Sequence, residues 1–210
     1  MVIRAGERVA LVGPSGCGKS TLLHALAGTI FQLRRHVHLH GRCLAALDGR
    51  EQFNSLRLCP QDAHFIPGSM PRAVLFEHAH DRAQIERWLE CLGLSKDWYE
   101  LELDARAESI SGGEARRLTL LRLLNRPGEF NFFDEPTAGL DAGSAERTWD
   151  LLFETFQGKG LICVTHDQSA LSRFDRVITL SEGRIISQAR TKIAQNTEPA
   201  GAPHTLWERL

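Results

Sequence analysis

Apolar positions along the chain fall into short runs separated by turn residues, and the runs alternate between strand-like and helix-like spacing. Arg8–Val12 is an apolar run of strand character, fed directly by a turn at Gly6-Glu7. Residues 22–27 (Leu-Leu-His-Ala-Leu-Ala) then read as a helix that ends near Gly28. Residues 35–41 alternate polar and apolar, which predicts a strand with His36, His38 and His40 on one face. Residues 55–60 predict another strand, ending at Gln61-Asp62, and residues 65–71 are punctuated by Pro and Gly and read as a loop. Ile85, Trp88, Leu89 and Leu92 share one helical face, so residues 82–92 are predicted helical. Residues 109–114 form a cap-like, glycine-containing loop that runs into a helix over 115–125, stopped by Pro127-Gly128. Residues 130–136 are apolar and end in two carboxylates; residues 161–166 repeat that plan with a histidine at the end. Residues 175–180 and 183–187 read as a closing hairpin, and the stretch from Thr191 to Leu210 as a tail with a Leu206-Trp207 patch.

The pattern places a largely helical stretch, about 62–127, between two strand-bearing halves. A length of 210 residues suits one domain with a subdomain, and 42 % hydrophobic and 24 % charged residues are ordinary for a chain that buries a core. The formal net charge of −1 gives no basic field for nucleic acid or anionic lipid. Arginines interleaved in the 115–125 helix therefore read as a solvated face or a subunit contact in preference to a nucleic-acid face. Five scattered cysteines without a C-x-x-C pair point to reduced thiols, not a disulfide framework. No apolar run approaches the roughly 18–20 residues of a membrane span.

The sharpest chemical signal is Gly13-Pro14-Ser15-Gly16-Cys17-Gly18-Lys19-Ser20-Thr21, which fits G-x-x-x-x-G-K-[ST] between a strand and a helix. Glycines let successive backbone N–H groups converge on one anion, and the helix N-terminus adds a partial positive charge. In such a loop Lys19 reaches the β- and γ-phosphates and the Ser20 hydroxyl sits on Mg²⁺. Cys17 stands inside the loop, so alkylating it is expected to block nucleotide binding; a small residue that merely fills space is the other reading. His36, His38 and His40 can bind a metal, or they are polar residues on the open side of a short edge strand; no carboxylate or Cys partner is obvious nearby.

Lys19, Gln61, Ser111-Gly112-Gly113, Asp134-Glu135, Asp141 and His166, in that order, resemble the ATP-binding-cassette (ABC) ATPase family. Ile110-Ser111-Gly112-Gly113-Glu114 is similar to its signature loop, with Ile for the usual Leu; Ala138-Gly139-Leu140-Asp141 to its D-loop; Thr165-His166 to its His switch. The resemblance covers roughly residues 3–188. It implies an α/β P-loop NTPase fold: a RecA-like core with a parallel sheet at 1–61 and 128–190, a small antiparallel β part, and an inserted α-helical subdomain at 62–127. The ATPase domain would end near 190, with 191–210 as a C-terminal tail. It also implies hydrolysis of ATP to ADP and phosphate, a reaction catalysed mostly by positioning and charge stabilisation. Residues Gly13 to Thr21 would hold the phosphates, and Ser20 and Asp134 the Mg²⁺. Gln61 would contact the metal or the attacking water, Glu135 act as general base or orient that water, and His166 meet the γ-phosphate. Ser111, Gly112, Gly113, Glu114 and Asp141 would complete the site of a second cassette in a head-to-tail pair, identical or related.

Two departures from the family matter. Cassettes carry an extra N-terminal strand and an aromatic residue, some twenty positions before the phosphate loop, that stacks on adenine. Here twelve residues precede Gly13 and none is aromatic, so adenine is expected to be held otherwise or the cassette to be a short one. Asn131 is polar within an apolar strand and needs a hydrogen-bond partner if buried. Residues 65–71 resemble the exporter segment that meets the membrane domain's coupling helix. The whole looks most like the cassette of the heterodimeric thiol exporters that serve cytochrome bd assembly. That branch implies a transmembrane domain or permease subunit as partner, a place on the cytoplasmic face of the membrane, and no nucleic acid. Two alternatives stay open: a soluble ABC ATPase of translation or DNA repair, and a truncated or weakly active cassette.

Overall fold

In a computed structural model, which describes residues 1–59, 64–76, 78–104 and 109–191, the elements follow in chain order. They are β1 (Arg8–Val12), α1 (Lys19–Leu26), β2 (His38–Leu39), β3 (Arg42–Cys43), α2 (Gly49–Ser55), β4 (Leu56–Cys59), β5 (Gly68–Ser69) and α3 (Met70–Leu75). Next come α4 (Arg82–Cys91), β6 (Glu102–Leu103), α5 (Gly112–Asn125), β7 (Phe130–Asp134), α6 (Ala142–Thr155), β8 (Gly160–Val164), β9 (Arg176–Ser181) and β10 (Arg184–Arg190). The described residues divide into two units: Met1–Leu58, Pro127–Glu135 and the chain from Phe156 onward make the first, and Cys59–Arg126 with Pro136–Thr155 the second.

The first unit is built on a six-stranded sheet in the order β10-β9-β1-β8-β7-β4. β1 pairs in parallel with both β8 and β9, β7 in parallel with β8, and β10 folds back antiparallel on β9. All five residues of β7 and all five of β8 are buried, as expected of central parallel strands covered on both faces. Packing there is tight enough to require glycine at 160, where a Cβ would run into the Phe130 ring. Asn131 is fully buried and satisfied: its Oδ1 accepts from the Gly128 N–H at 2.8 Å, and its Nδ2 donates to the Gly128 and Gly160 carbonyls at 3.1 and 3.3 Å. The segment before β1 is tied to β9 by an ion pair, Arg176 Nε to Glu7 Oε1 at 2.9 Å, with both side chains 11 % exposed.

The second unit holds α3 to α6 and the two-residue antiparallel pair β5–β6. α5 buries Leu118, Leu120, Leu121, Leu123 and Leu124. Arg122 lies over the Phe76 ring at 4.6 Å and donates from Nε to the Val74 carbonyl at 3.1 Å, so this arginine joins α3 to α5 within the unit.

Three expectations are corrected. Residues 35–41 do not form one strand: a 3₁₀ turn occupies Phe31–His36, and only His38–Leu39 pairs, with Arg42–Cys43. The reason is His40-Gly41, both at positive φ (51° and 75°), which turn the chain after two paired residues. His36, His38 and His40 therefore do not line one strand face; His40 Nε2 instead meets Glu129 Oε2 at 2.8 Å. Residues 65–71 are not loop throughout, because Gly68–Ser69 pairs with β6 and Met70-Pro71 opens α3, where proline's missing N–H costs nothing. The helix expected from Ala115 begins at Gly112, capped by Ser111. The Leu206-Trp207 patch and the rest of the tail beyond Thr191 lie outside the described residues.

Candidate functional site

Strand register brings the chemistry together in the first unit. Leu11 of β1 stands opposite Val164 of β8, and Val164 opposite Asp134 of β7. Three adjacent parallel strands thus end at one edge of the sheet, with neighbours about 4.8 Å apart. The glycine loop follows β1, Asp134-Glu135 close β7, and Thr165-His166 follow β8. The carboxyl edge of a parallel sheet is where such folds bind ligands.

The loop's shape depends on left-handed backbone at Gly13, Gly16 and Gly18, with φ of 146°, 77° and 98°. A Cβ on Gly13 would overlap the Leu180 carbonyl oxygen. Gly18 caps α1 with no side-chain hydrogen bond, which leaves the first-turn N–H groups open to an anion. Lys19 is 6 % exposed, and its Nζ donates to the carbonyls of Gly13 at 2.9 Å and Pro14 at 2.8 Å. A buried ammonium held by two neutral carbonyls is poorly compensated, and a phosphate is the group that would complete it.

Asp134 is 7 % exposed at the end of β7. Glu135 next to it sits at φ 52°, strained for a non-glycine residue, and its N–H donates to the Val164 carbonyl at 2.9 Å. That bond turns the Glu135 carboxylate toward the neighbouring strand end, where its Oε1 lies 3.4 Å from His166 Nε2. Both side chains are partly open to solvent, at 38 % and 55 %. The Thr165 N–H donates to the Leu11 carbonyl at 3.3 Å, which fixes the root of the His166 turn against β1. Hydroxyl and carboxylate oxygens at Ser20 and Asp134 are hard donors of the kind Mg²⁺ takes, so the residues fit that ion.

The remaining sequence candidates lie in the second unit or outside the described residues. Ser111 is the N-cap of α5: its Oγ accepts from the Glu114 N–H at 3.3 Å while Glu114 Oε2 accepts from the Ser111 N–H at 2.8 Å, a reciprocal capping box. The Ser111 hydroxyl first, and its backbone N–H second, hold the Glu114 carboxyl below its ordinary value. Gly112 and Gly113 are exposed in the first turn of the same helix. Asp141 caps α6, accepting from the Ser144 N–H at 3.0 Å, and this bond likewise lowers its carboxyl. Gln61 lies outside the described residues. A contact not anticipated from sequence is made by Gly183, whose N–H donates to the Cys17 carbonyl at 3.0 Å. The Glu182-Gly183 dipeptide signals a hairpin, but nothing local in it reveals that the hairpin reaches the loop.

Among known proteins, the family model described as ABC transporter matches residues 1–138. The glutathione/L-cysteine transport system ATP-binding/permease protein CydC of Escherichia coli (strain K12) is 33 % identical over 198 residues, covering 89 % of this chain and 33 % of that protein. The chain thus spans about a third of the length of that relative. The lipoprotein-releasing system ATP-binding protein LolD of Xanthomonas campestris pv. campestris (strain 8004) is 34 % identical over 198 residues, covering 87 % of this chain and 80 % of that protein. The dimeric post-hydrolysis structure of the ATP-binding cassette MJ0796 bound to ADP and Pi is alike in fold, with a TM-score of 0.73 at 24 % identity over 90 % of this chain and 88 % of that one.

Proposed function

We propose that this chain, which belongs to the ABC transporter family as an ATP-binding cassette, hydrolyses ATP to energise export through a partner transmembrane domain. The observation that carries the ATPase reading is the shared edge of β1, β8 and β7, where the glycine loop, Asp134-Glu135 and Thr165-His166 meet in register. The ABC ATPase domain would take in residues 1–190.

The loop amides and the Lys19 ammonium bind the triphosphate and neutralise its charge. Ser20 and Asp134, joined by Gln61, would hold Mg²⁺, which would supply neutralisation of phosphate charge. Glu135 accepts a proton from, or orients, the water that attacks the γ-phosphorus. His166, within reach of the same carboxylate, contacts the γ-phosphate. Ser111, Gly112, Gly113, Glu114 and Asp141 complete the site of a second cassette, so two cassettes close head to tail on ATP. The dimeric state of the MJ0796 structure is consistent with a pair of cassettes.

The likeness to CydC, named as both ATP-binding and permease protein, supports a membrane-domain partner. No helix among the described residues is long and apolar enough to cross a membrane. The spanning part would therefore belong to other residues or another chain, with this cassette on its cytoplasmic face.

Glu135→Gln tests the reading. The variant keeps ATP binding and loses phosphate release, by about 10²–10⁴-fold for a general base. With Mg-ATP it elutes from gel filtration as a dimer, because nucleotide enters the clamp and is not cleaved. A variant that hydrolyses at the parent rate, or stays monomeric at saturating ATP, contradicts it.

A further inference from the structure

We infer that the β9–β10 turn, Ser181–Gly183, is a positioning element for the phosphate loop, with the Gly183 N–H aiming a loop amide at the nucleotide. The inference rests on the ATP-binding reading above and adds to it a part of the chain outside the glycine motif.

One hydrogen bond and two close backbone approaches set the hairpin against the loop. The Gly183 N–H donates to the Cys17 carbonyl at 3.0 Å. A Cβ on Gly13 would overlap the Leu180 carbonyl oxygen, and one on Gly18 would lie 3.9 Å from Gly183 Cα. A trans peptide is planar, with its C=O and the following N–H pointing in opposite directions. Holding the Cys17 carbonyl on the hairpin therefore turns the Gly18 N–H away from the hairpin. Among the described residues that N–H meets no acceptor. It is an amide at the N-terminus of α1, the place where an anion is bound.

The turn is itself strained. Glu182 and Gly183 both have positive φ, 47° and 73°, the sign pattern of a type I′ hairpin turn. The molecule contains a matched control in the β2–β3 hairpin, where His40 and Gly41 have φ of 51° and 75°. A Cβ built on Gly183 or on Gly41 meets nothing within 4 Å. A Cβ at either position thus acts through backbone strain and not through a clash, and only one of the two turns holds the loop.

The test compares Gly183→Val with Gly41→Val in the 210-residue chain. Both lower the melting temperature by similar amounts. Gly183→Val alone weakens Mg-ATP binding, by roughly three- to tenfold, the worth of one peptide hydrogen bond. It raises KM and leaves kcat at saturating ATP near the parent value, the split expected of lost ground-state positioning. Hydrogen exchange at the residue 183 amide, followed without nucleotide, loses protection in Gly183→Val and keeps it in Gly41→Val. Where valine prevents folding, Gly183→Ala and Gly41→Ala carry the same comparison. A parent chain that binds no Mg-ATP ends the nucleotide reading and the inference with it. A parent that binds, with Gly183→Val binding as tightly as Gly41→Val, ends the inference alone. So does equal protection of the residue 183 amide in the two variants.

Discussion

Asn131 carries a prediction whose size and pH dependence follow from three distances. It is fully buried as the second residue of β7, three residues before Asp134. Its amide serves the Gly128 N–H at 2.8 Å and the carbonyls of Gly128 and Gly160 at 3.1 and 3.3 Å. Asn131→Ala leaves the Gly128 N–H without that acceptor, a loss of about 1–3 kcal/mol that does not vary with pH. Asn131→Asp has nearly the same shape and keeps an oxygen for the Gly128 N–H. Its second oxygen, however, faces the two carbonyls that the amide nitrogen had served. Desolvation and those two dipoles disfavour the charged form, so the new carboxyl titrates above the usual aspartate value of about 3.9 when folded.

The sign of the pH effect then follows by linkage. Below about pH 3.9 the carboxyl is protonated in both states, its O–H donates to one carbonyl, and the variant lies within about 1 kcal/mol of the parent. As pH rises, the unfolded chain releases the proton first. The stability deficit grows by about 1.4 kcal/mol per pH unit until the folded carboxyl also ionises. At neutral pH it reaches roughly 3–5 kcal/mol, the size found when a buried charge is left uncompensated. Urea denaturation of parent, Asn131→Ala and Asn131→Asp at several pH values, followed by far-ultraviolet circular dichroism, measures all of this. A deficit for Asn131→Asp that stays flat with pH, or equals that of Asn131→Ala throughout, would refute the assignment of the amide's donor side.

Two further predictions concern the second unit. Ser111→Ala removes the cap of α5 and should lower stability by about 0.5–2 kcal/mol at pH 7. Because the Ser111 hydroxyl helps hold the Glu114 carboxyl below the ordinary value, that part of the difference is present above pH 4.5 and fades as the solution is made more acid, so the gap between parent and variant should narrow in acid melts, while the bond from the Glu114 N–H to Ser111 Oγ, which does not titrate, keeps it from closing. Burial pushes the Cys59 thiol up to about 11 from 9.0, against a smaller opposing hydrogen bond with Thr119. The folded form is then favoured while the thiol stays protonated, and stability should fall between about pH 9 and pH 11. Cys59→Ala should flatten that part of the curve; an unchanged alkaline slope would count against a buried thiol.

What could be read from sequence was whatever a few neighbouring residues decide. Glycine spacing around Lys19 sets a loop whatever the strand order, and apolar runs that end in Asp134-Glu135 or His166 announce strands that deliver chemistry at their ends. Asn131 could be flagged from sequence because a polar residue in a buried strand must find partners. Where neighbours compete, the local signal failed. Alternation over 35–41 read as strand, yet His40-Gly41 turned the chain; Pro71 read as loop punctuation, yet proline suits the first turn of α3. α2 and α6 passed unseen, although Asp48 caps the first through the Glu51 N–H at 2.6 Å and Asp141 the second.

The strand order was beyond reach of any local pattern, and the site depends on it. β1 takes its neighbours from residues about 150 positions away, so no stretch of sequence around Gly13 states that Val164 and Ile178 flank Leu11. Nor does it state that the hairpin after β9 will meet the loop. The same geometry explains why motif residues and supporting residues read so differently. Lys19 and Glu135 are fixed by chemistry and keep a recognisable spacing. Gly183 is fixed only by a backbone contact with Cys17, and any glycine-containing hairpin would look the same in sequence. Residues of this second kind are found by asking what holds each carbonyl of a binding loop, because a loop whose N–H groups face a ligand must anchor its C=O groups elsewhere. In this chain Lys19 anchors those of Gly13 and Pro14, and the hairpin anchors that of Cys17.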